Sequence, residues 1–143
     1  MPRSIEGYYR FLLDAIAGCP IIRASDLALD KRTLSSGIIR GDLYFVDGSR
    51  LSFRELVDLS AKNVRLMYSY HYQAANGSLI FRYDDTPHHR SLPGFPYHKH
   101  AGAETTVIPA SAPALVEVLA EIERLDSTTE RSWENGSATS AGY

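Results

Sequence analysis

All five histidines of this 143-residue chain (His71, His88, His89, His98 and His100) fall between Tyr68 and His100. The stretch reads YSYHYQAANGSLIFRYDDTPHHRSLPGFPYHKH and holds five of the nine tyrosines as well. Imidazole is the side chain whose charge changes most readily near neutral pH, so such a concentration suits proton transfer. The spacing is short: Asp84-x-x-x-His88-His89, then His98-Lys99-His100. In an extended backbone, residues at i and i+2 leave one face together, which pairs His98 with His100.

Three kinds of chemistry fit these residue types. Cleavage of an RNA phosphodiester without a metal needs a base for the 2′-hydroxyl, an acid for the leaving oxygen and cations around the phosphorane. His98, His100 and His88 supply base and acid, with their order open. Arg82 and Lys99 supply cationic contacts, and Asp84 orients Arg82 or a histidine. Tyr70, Tyr72 and Tyr83 offer rings on which bases stack, with Arg90 as a further contact, as single-stranded recognition requires. The second reading is a metal-dependent hydrolase using His88, His98, His100 and Asp84. No spacing of the H-E-x-x-H kind accompanies it, and Lys99 and Arg90 oppose a cation, so no metal and no cofactor is expected. The third reading is structural: His71 as a satisfied sheet residue, His88 bonded to loop carbonyls, the tyrosines as packing, and Arg82 with Asp84 or Asp85 as an ordinary ion pair. A non-enzymatic module that docks on nucleic acid or protein through an aromatic hairpin is the alternative from another class.

Composition narrows the setting. An apolar fraction of 44% and a charged fraction of 22% are ordinary for a soluble globular protein. No apolar run approaches the roughly 18 residues of a membrane span, and the N-terminal segment lacks the pattern of a signal peptide. Cys19 is the single cysteine, which excludes an internal disulfide and a cysteine-rich zinc site. These features predict a cytoplasmic protein without membrane attachment. Net charge is −2, but residues 62 to 100 carry Lys62, Arg65, Arg82, Arg90 and Lys99 against Asp84 and Asp85, a local +3 that leaves −5 elsewhere. A basic, aromatic segment on an acidic body suits an anion, or is a solvated face.

The elements that must position these groups are legible in outline. Ser4 caps a helix over residues 4–17, with Ile5, Tyr9, Leu12 and Ile16 at helical spacing, Tyr8 and Phe11 widening the face, and Gly18 and Pro20 stopping it. From Ile21 to Leu59 the apolar period shortens to two, with Asp30-Lys31 as a turn and Asp47-Gly48 as a hairpin signal. Residues 51–59 read as a strand in preference to a helix capped by Ser52 and Glu55. Asn76-Gly77 joins two further strands. If those two residues form the loop, Tyr72 faces Phe81, Tyr70 faces Tyr83, Ala74 faces Leu79, His71 faces Arg82 and Ser69 faces Asp84. Asp85 to Ala103 has too many Pro and Gly breakers for a regular element and reads as a long loop. Glu104–Ile108 suits a short returning strand, and Ser111–Leu125 a helix with Pro113 in its first turn. The polar tail, 127–143, lacks periodicity and is expected to be disordered. The fold class predicted is α+β over residues 1–126: an antiparallel sheet of about five strands in meander order with an N-terminal and a C-terminal helix.

Four segments carry a family resemblance: GDLYFVDGS (41–49), YSYHYQ (68–73), RYDDTPHH (82–89) and FPYHKH (95–100). Together they resemble the TumE-type toxins, toxin components of prokaryotic type II toxin–antitoxin modules, over about residues 20 to 123. The resemblance implies a cytoplasmic protein bound and neutralised by a cognate antitoxin, with a homodimer compatible. It marks Arg82, Tyr83, Asp84, Pro87, His88 and His89, then Phe95, Pro96, His98, Lys99 and His100. Ribonuclease action is common among small toxins and agrees with the first chemical reading. The long tail departs from the compact pattern of the family.

Overall fold

The computed structural model describes residues 2–85, 98–101, 107–109 and 113–126, with the backbone alone at 98, 100 and 107–109. His88, His89, Arg90 and the tail therefore lie outside the described residues. Two compact units make up the chain, Met1–Pro113 and Ala114–Tyr143.

The first unit opens with helix α1, Ile5–Ala17. The Ser4 hydroxyl accepts the Gly7 N–H at 3.1 Å, satisfying a donor that the first helical turn leaves unpaired, and Gly18 closes the far end. Ile5, Tyr8, Leu12 and Ile16 form the buried stripe. Tyr8, not Tyr9, takes the inner position, and Phe11 is exposed. The reason is polar: the Tyr8 hydroxyl donates to the buried Glu55. Helix α1 packs against the first two strands, and its Ile5 N–H donates to the Leu34 carbonyl at 2.9 Å.

Among the described residues seven strands follow: β1 Ile22–Lys31, β2 Ser36–Phe45, β3 Arg50–Asp58, β4 Arg65–Gln73, β5 Leu79–Asp84, β6 His98–Ala101 and β7 Val107–Pro109. They form one sheet in the order β1-β2-β3-β4-β5-β6-β7, every neighbouring pair antiparallel. The α+β class and the meander hold, and the sheet is wider than about five strands. One of the added strands, β6, lies inside the segment read as loop. Its four residues sit between Pro96 and Gly102, and short strands pair wherever breakers leave a few free N–H groups in line with a neighbour. Asp30-Lys31 does not turn, because Lys31 still pairs with Gly37. The reversal comes at 32–35, where Thr33 Oγ1 accepts the Ser35 N–H at 3.3 Å and meets Ser36 Oγ at 2.6 Å.

Gly48 and Gly77 carry the two sharp turns, with φ of 87° and 88°; among the described residues no other type adopts positive φ. Asp47 and Asn76 contribute through their side chains instead, accepting the Ser49 and Ser78 N–H groups at 2.9 Å each. This turn differs from a two-residue loop, so Leu79 pairs with Gln73 in place of Ala74. The irregularity is absorbed at Ile80. From Tyr72↔Phe81 onward the pairing is the expected one: Tyr70↔Tyr83, His71↔Arg82 and Ser69↔Asp84.

Alternation then sorts side chains onto two faces. The inner face buries Ile39, Leu43 and Phe45 of β2, Leu51, Phe53 and Val57 of β3, Tyr68, Tyr70 and Tyr72 of β4, and Phe81 of β5. Each such aliphatic or aromatic burial stabilises by about 1.5–3 kcal/mol. The outer face carries Arg40, Asp42, Arg50, Ser52, Arg54, Ser69, His71, Arg82 and Asp84.

In the second unit, residues 115–126 form helix α2. The Ala114 N–H donates to Glu117 Oε1 at 3.0 Å, a side-chain cap that starts the helix after Pro113. Leu115, Val118, Leu119 and Ile122 recur at helical spacing. Among the described residues no helix is long and apolar enough to cross a membrane.

Candidate functional site

Strand register assembles the polar groups. His71 of β4 stands opposite Arg82 of β5, which stands opposite His100 of β6; one step along, Ser69, Asp84 and His98 repeat the arrangement. Directly opposed residues of antiparallel neighbours are about 4.5–5.5 Å apart at Cα. Six adjoining positions on one face thus gather His71, Arg82, His100, Ser69, Asp84 and His98. Arg82 Nε donates to Asp84 Oδ2 at 2.8 Å, and the Asp84 side chain is only 5% exposed. A carboxylate so enclosed needs a cation, and the bond fixes the plane of the guanidinium. The row continues outward through Ser52 opposite His71 and Asp42 opposite Ser52. Burial pushes the Asp42 carboxyl up, but the Ser52 hydroxyl at 2.6 Å and the Arg50 guanidinium at 2.8 Å outweigh it and hold the group below the usual carboxylate range. Among the described residues, no three His, Cys, Asp or Glu side chains form a group able to hold a metal ion.

Lys99 is not part of that face. It stands opposite Tyr83, with its ammonium 4.9 Å from the Tyr83 ring centre and 5.1 Å from that of Phe81. The pleat that puts positions 98 and 100 on one side sends 99 to the other. Lys99 was expected to join Arg82 as a cationic contact for phosphate; here its ammonium makes cation–π contacts on the face opposite Arg82.

Tyr70 and Tyr72 belong to the inner face, at 0% and 3% exposure. Tyr70 packs on Phe53 and donates to Glu55 Oε2 at 2.6 Å, while Tyr72 meets Ser49 Oγ at 2.8 Å and the Phe45 ring edge-on. Rings enclosed in this way offer no surface to a base, so the structural reading of these two tyrosines replaces the stacking one. Tyr83 is half-buried and packs against Phe81. His88 and Arg90 lie outside the described residues.

The sequence reading missed the polar centre of the inner face. Glu55 is 1% exposed and accepts from both the Tyr8 and the Tyr70 hydroxyls. Arg65 Nη1 donates to the Tyr70 hydroxyl at 2.9 Å and to the Pro113 carbonyl, with its guanidinium 4.9 Å over the Tyr68 ring. Burial first, and the charge of Glu55 second, push both tyrosine hydroxyls well above their ordinary range. A usable signal was present: alternation through Phe53 and Val57 turns Glu55 inward, and an inward carboxylate demands donors.

The fold and this face define a small α+β protein, one antiparallel meander with an ionisable row on its outer surface. Residues 10–126 match the family model described as Toxin TumE, and the chain belongs to that family. It is a toxin-like component of a toxin–antitoxin module. Comparison with curated proteins and with solved structures gives no match.

Proposed function

We propose that this toxin-like protein is a metal-independent ribonuclease of the cytoplasm, held inactive by its cognate antitoxin. The β5–β6 register carries the reading: Arg82 opposite His100, and Asp84 opposite His98. A phosphodiester lying over Arg82 would rest beside strand positions 98 and 100. One histidine of the pair His98 and His100 takes the 2′-hydroxyl proton as the oxygen attacks phosphorus. The other gives a proton to the departing 5′ oxygen, leaving a 2′,3′-cyclic phosphate. Arg82, oriented by Asp84, balances the charge that grows on the phosphorane oxygens. Histidine suits both roles because its ordinary pKa lies near the working pH.

Purified protein incubated with total RNA tests this against His98→Ala and His100→Ala variants, with and without chelator. The expected result is cleavage by the parent chain in chelator and a loss of about 100-fold or more in either variant. Equal cleavage by all three proteins would sink the assignment.

A further inference from the structure

A cavity of about 210 Å³ opens on the outer face beside the ionisable row. The cross-strand row Ile38, Leu56 and Met67 lines it with apolar surface, and Arg54, Ser69 and Asp85 add polar groups. Ser69 stands opposite Asp84, itself opposite His98, so the cavity adjoins the proposed cleavage site. Two of its groups are poorly matched by the chain itself. Asp85 Oδ1 accepts the Tyr68 N–H at 3.1 Å, yet burial outweighs that bond and raises the carboxyl, with the charge of Asp84 adding to the effect. Arg54 is directly opposed by Arg40, a like-charge pairing that is unfavourable across strands. Among the described residues neither arginine has a carboxylate at ion-pair distance.

The occupant follows from size and from the donors required. The space is smaller than the ~300–1,000 Å³ of sites that enclose a whole small ligand, which suits one flat ring belonging to a longer chain. A carboxylate accepts and does not donate, so it favours an edge with two adjacent donors. Of the four RNA bases only guanine has that edge, in its ring N1–H and exocyclic amine; adenine, cytosine and uracil each set an acceptor beside the donor. We propose that this cavity is a guanine-binding subsite, with the base on Ile38, Leu56 and Met67, its donors on Asp85, and Arg40 and Arg54 taking a backbone phosphate. The proposal rests on the ribonuclease reading and names the substrate feature that face would select.

The test uses the full chain carrying His98→Ala and His100→Ala, which binds without cutting. Fluorescence anisotropy measures its affinity for uridine pentanucleotides bearing one central guanosine, inosine or adenosine. Guanosine is expected to bind about tenfold tighter than adenosine, with inosine between them because it lacks the amine. Asp85→Asn should erase that preference and leave adenosine affinity unchanged. Equal affinity for guanosine and adenosine, or a preference that survives Asp85→Asn, overturns the subsite while leaving the ribonuclease reading standing. Failure to bind any of the three overturns both. Met67→Ala that abolishes antitoxin binding and leaves RNA binding intact would assign the cavity to the partner protein and overturn the proposal.

Discussion

Glu55 is the residue on which the inner face depends most, since a buried charge is tolerated only while its donors remain. Tyr8→Phe removes one of them and should cost about 1.5–3 kcal/mol, as for other hydrogen bonds to charged groups, measurable by urea denaturation. The same contact predicts alkaline sensitivity. Tyr8 and Tyr70 hold their protons in the folded protein far above the ordinary tyrosine range, whereas the unfolded chain releases them near pH 10. The folded state therefore binds more protons in alkali. Its stability is fully present below about pH 10 and falls as pH rises beyond it, which denaturation midpoints at pH 8 and pH 11 would reveal. On the outer face, Arg82→Lys keeps the charge but loses the planar fork that Asp84 holds through Nε. Cleavage should drop by about 10- to 100-fold, with RNA binding reduced far less. At this scale the sequence was partly readable. The pairs His71–Arg82 and Ser69–Asp84 followed from counting positions across a hairpin. The i, i+2 spacing of His98 and His100 likewise implies that Lys99 between them takes the opposite face, where it stands across from Tyr83.

Elements were easier to recognise than their limits. Helix α1, its Ser4 cap and strands β2 to β5 follow from periodicity and from Asp-Gly and Asn-Gly, which mark turns whatever the details of the loop. The strand at 98–101 was hidden because prolines on its N-terminal side and glycine on its other side outweigh any local preference of four residues. Tertiary pairing to β5 decides it, and that information lies elsewhere in the chain. Close approach between elements is equally invisible to local reading. A Cβ at Gly41 of β2 would collide with the Phe53 ring of β3 and come within 3.1 Å of Leu27. Phe53 is itself stacked on Tyr70 and has no room to yield. Gly41→Ala should accordingly destabilise by about 1–3 kcal/mol despite the better strand propensity of alanine, a loss that a thermal melt would register.

At the scale of the molecule, membership of the Toxin TumE family and the proposed chemistry meet in one observable, growth. Induced expression is expected to arrest cells and degrade RNA, and co-expression of a cognate antitoxin to relieve both. The chain carrying His98→Ala and His100→Ala should be harmless at equal abundance; arrest by that variant, with RNA intact, would point to inhibition by binding. The meander adds a further constraint, because among the described residues the strands pair in chain order and the proposed site is written across three of them. Length can therefore vary where the chain turns between strands, since a longer turn leaves every pairing as it was. Inside a strand it cannot. One extra neutral residue between His98 and His100 would yield a protein with the same histidines, lysine and net charge, yet with those two positions on opposite faces of the sheet. Heritable change in this lineage should thus accumulate as insertions between strands and as substitutions within them.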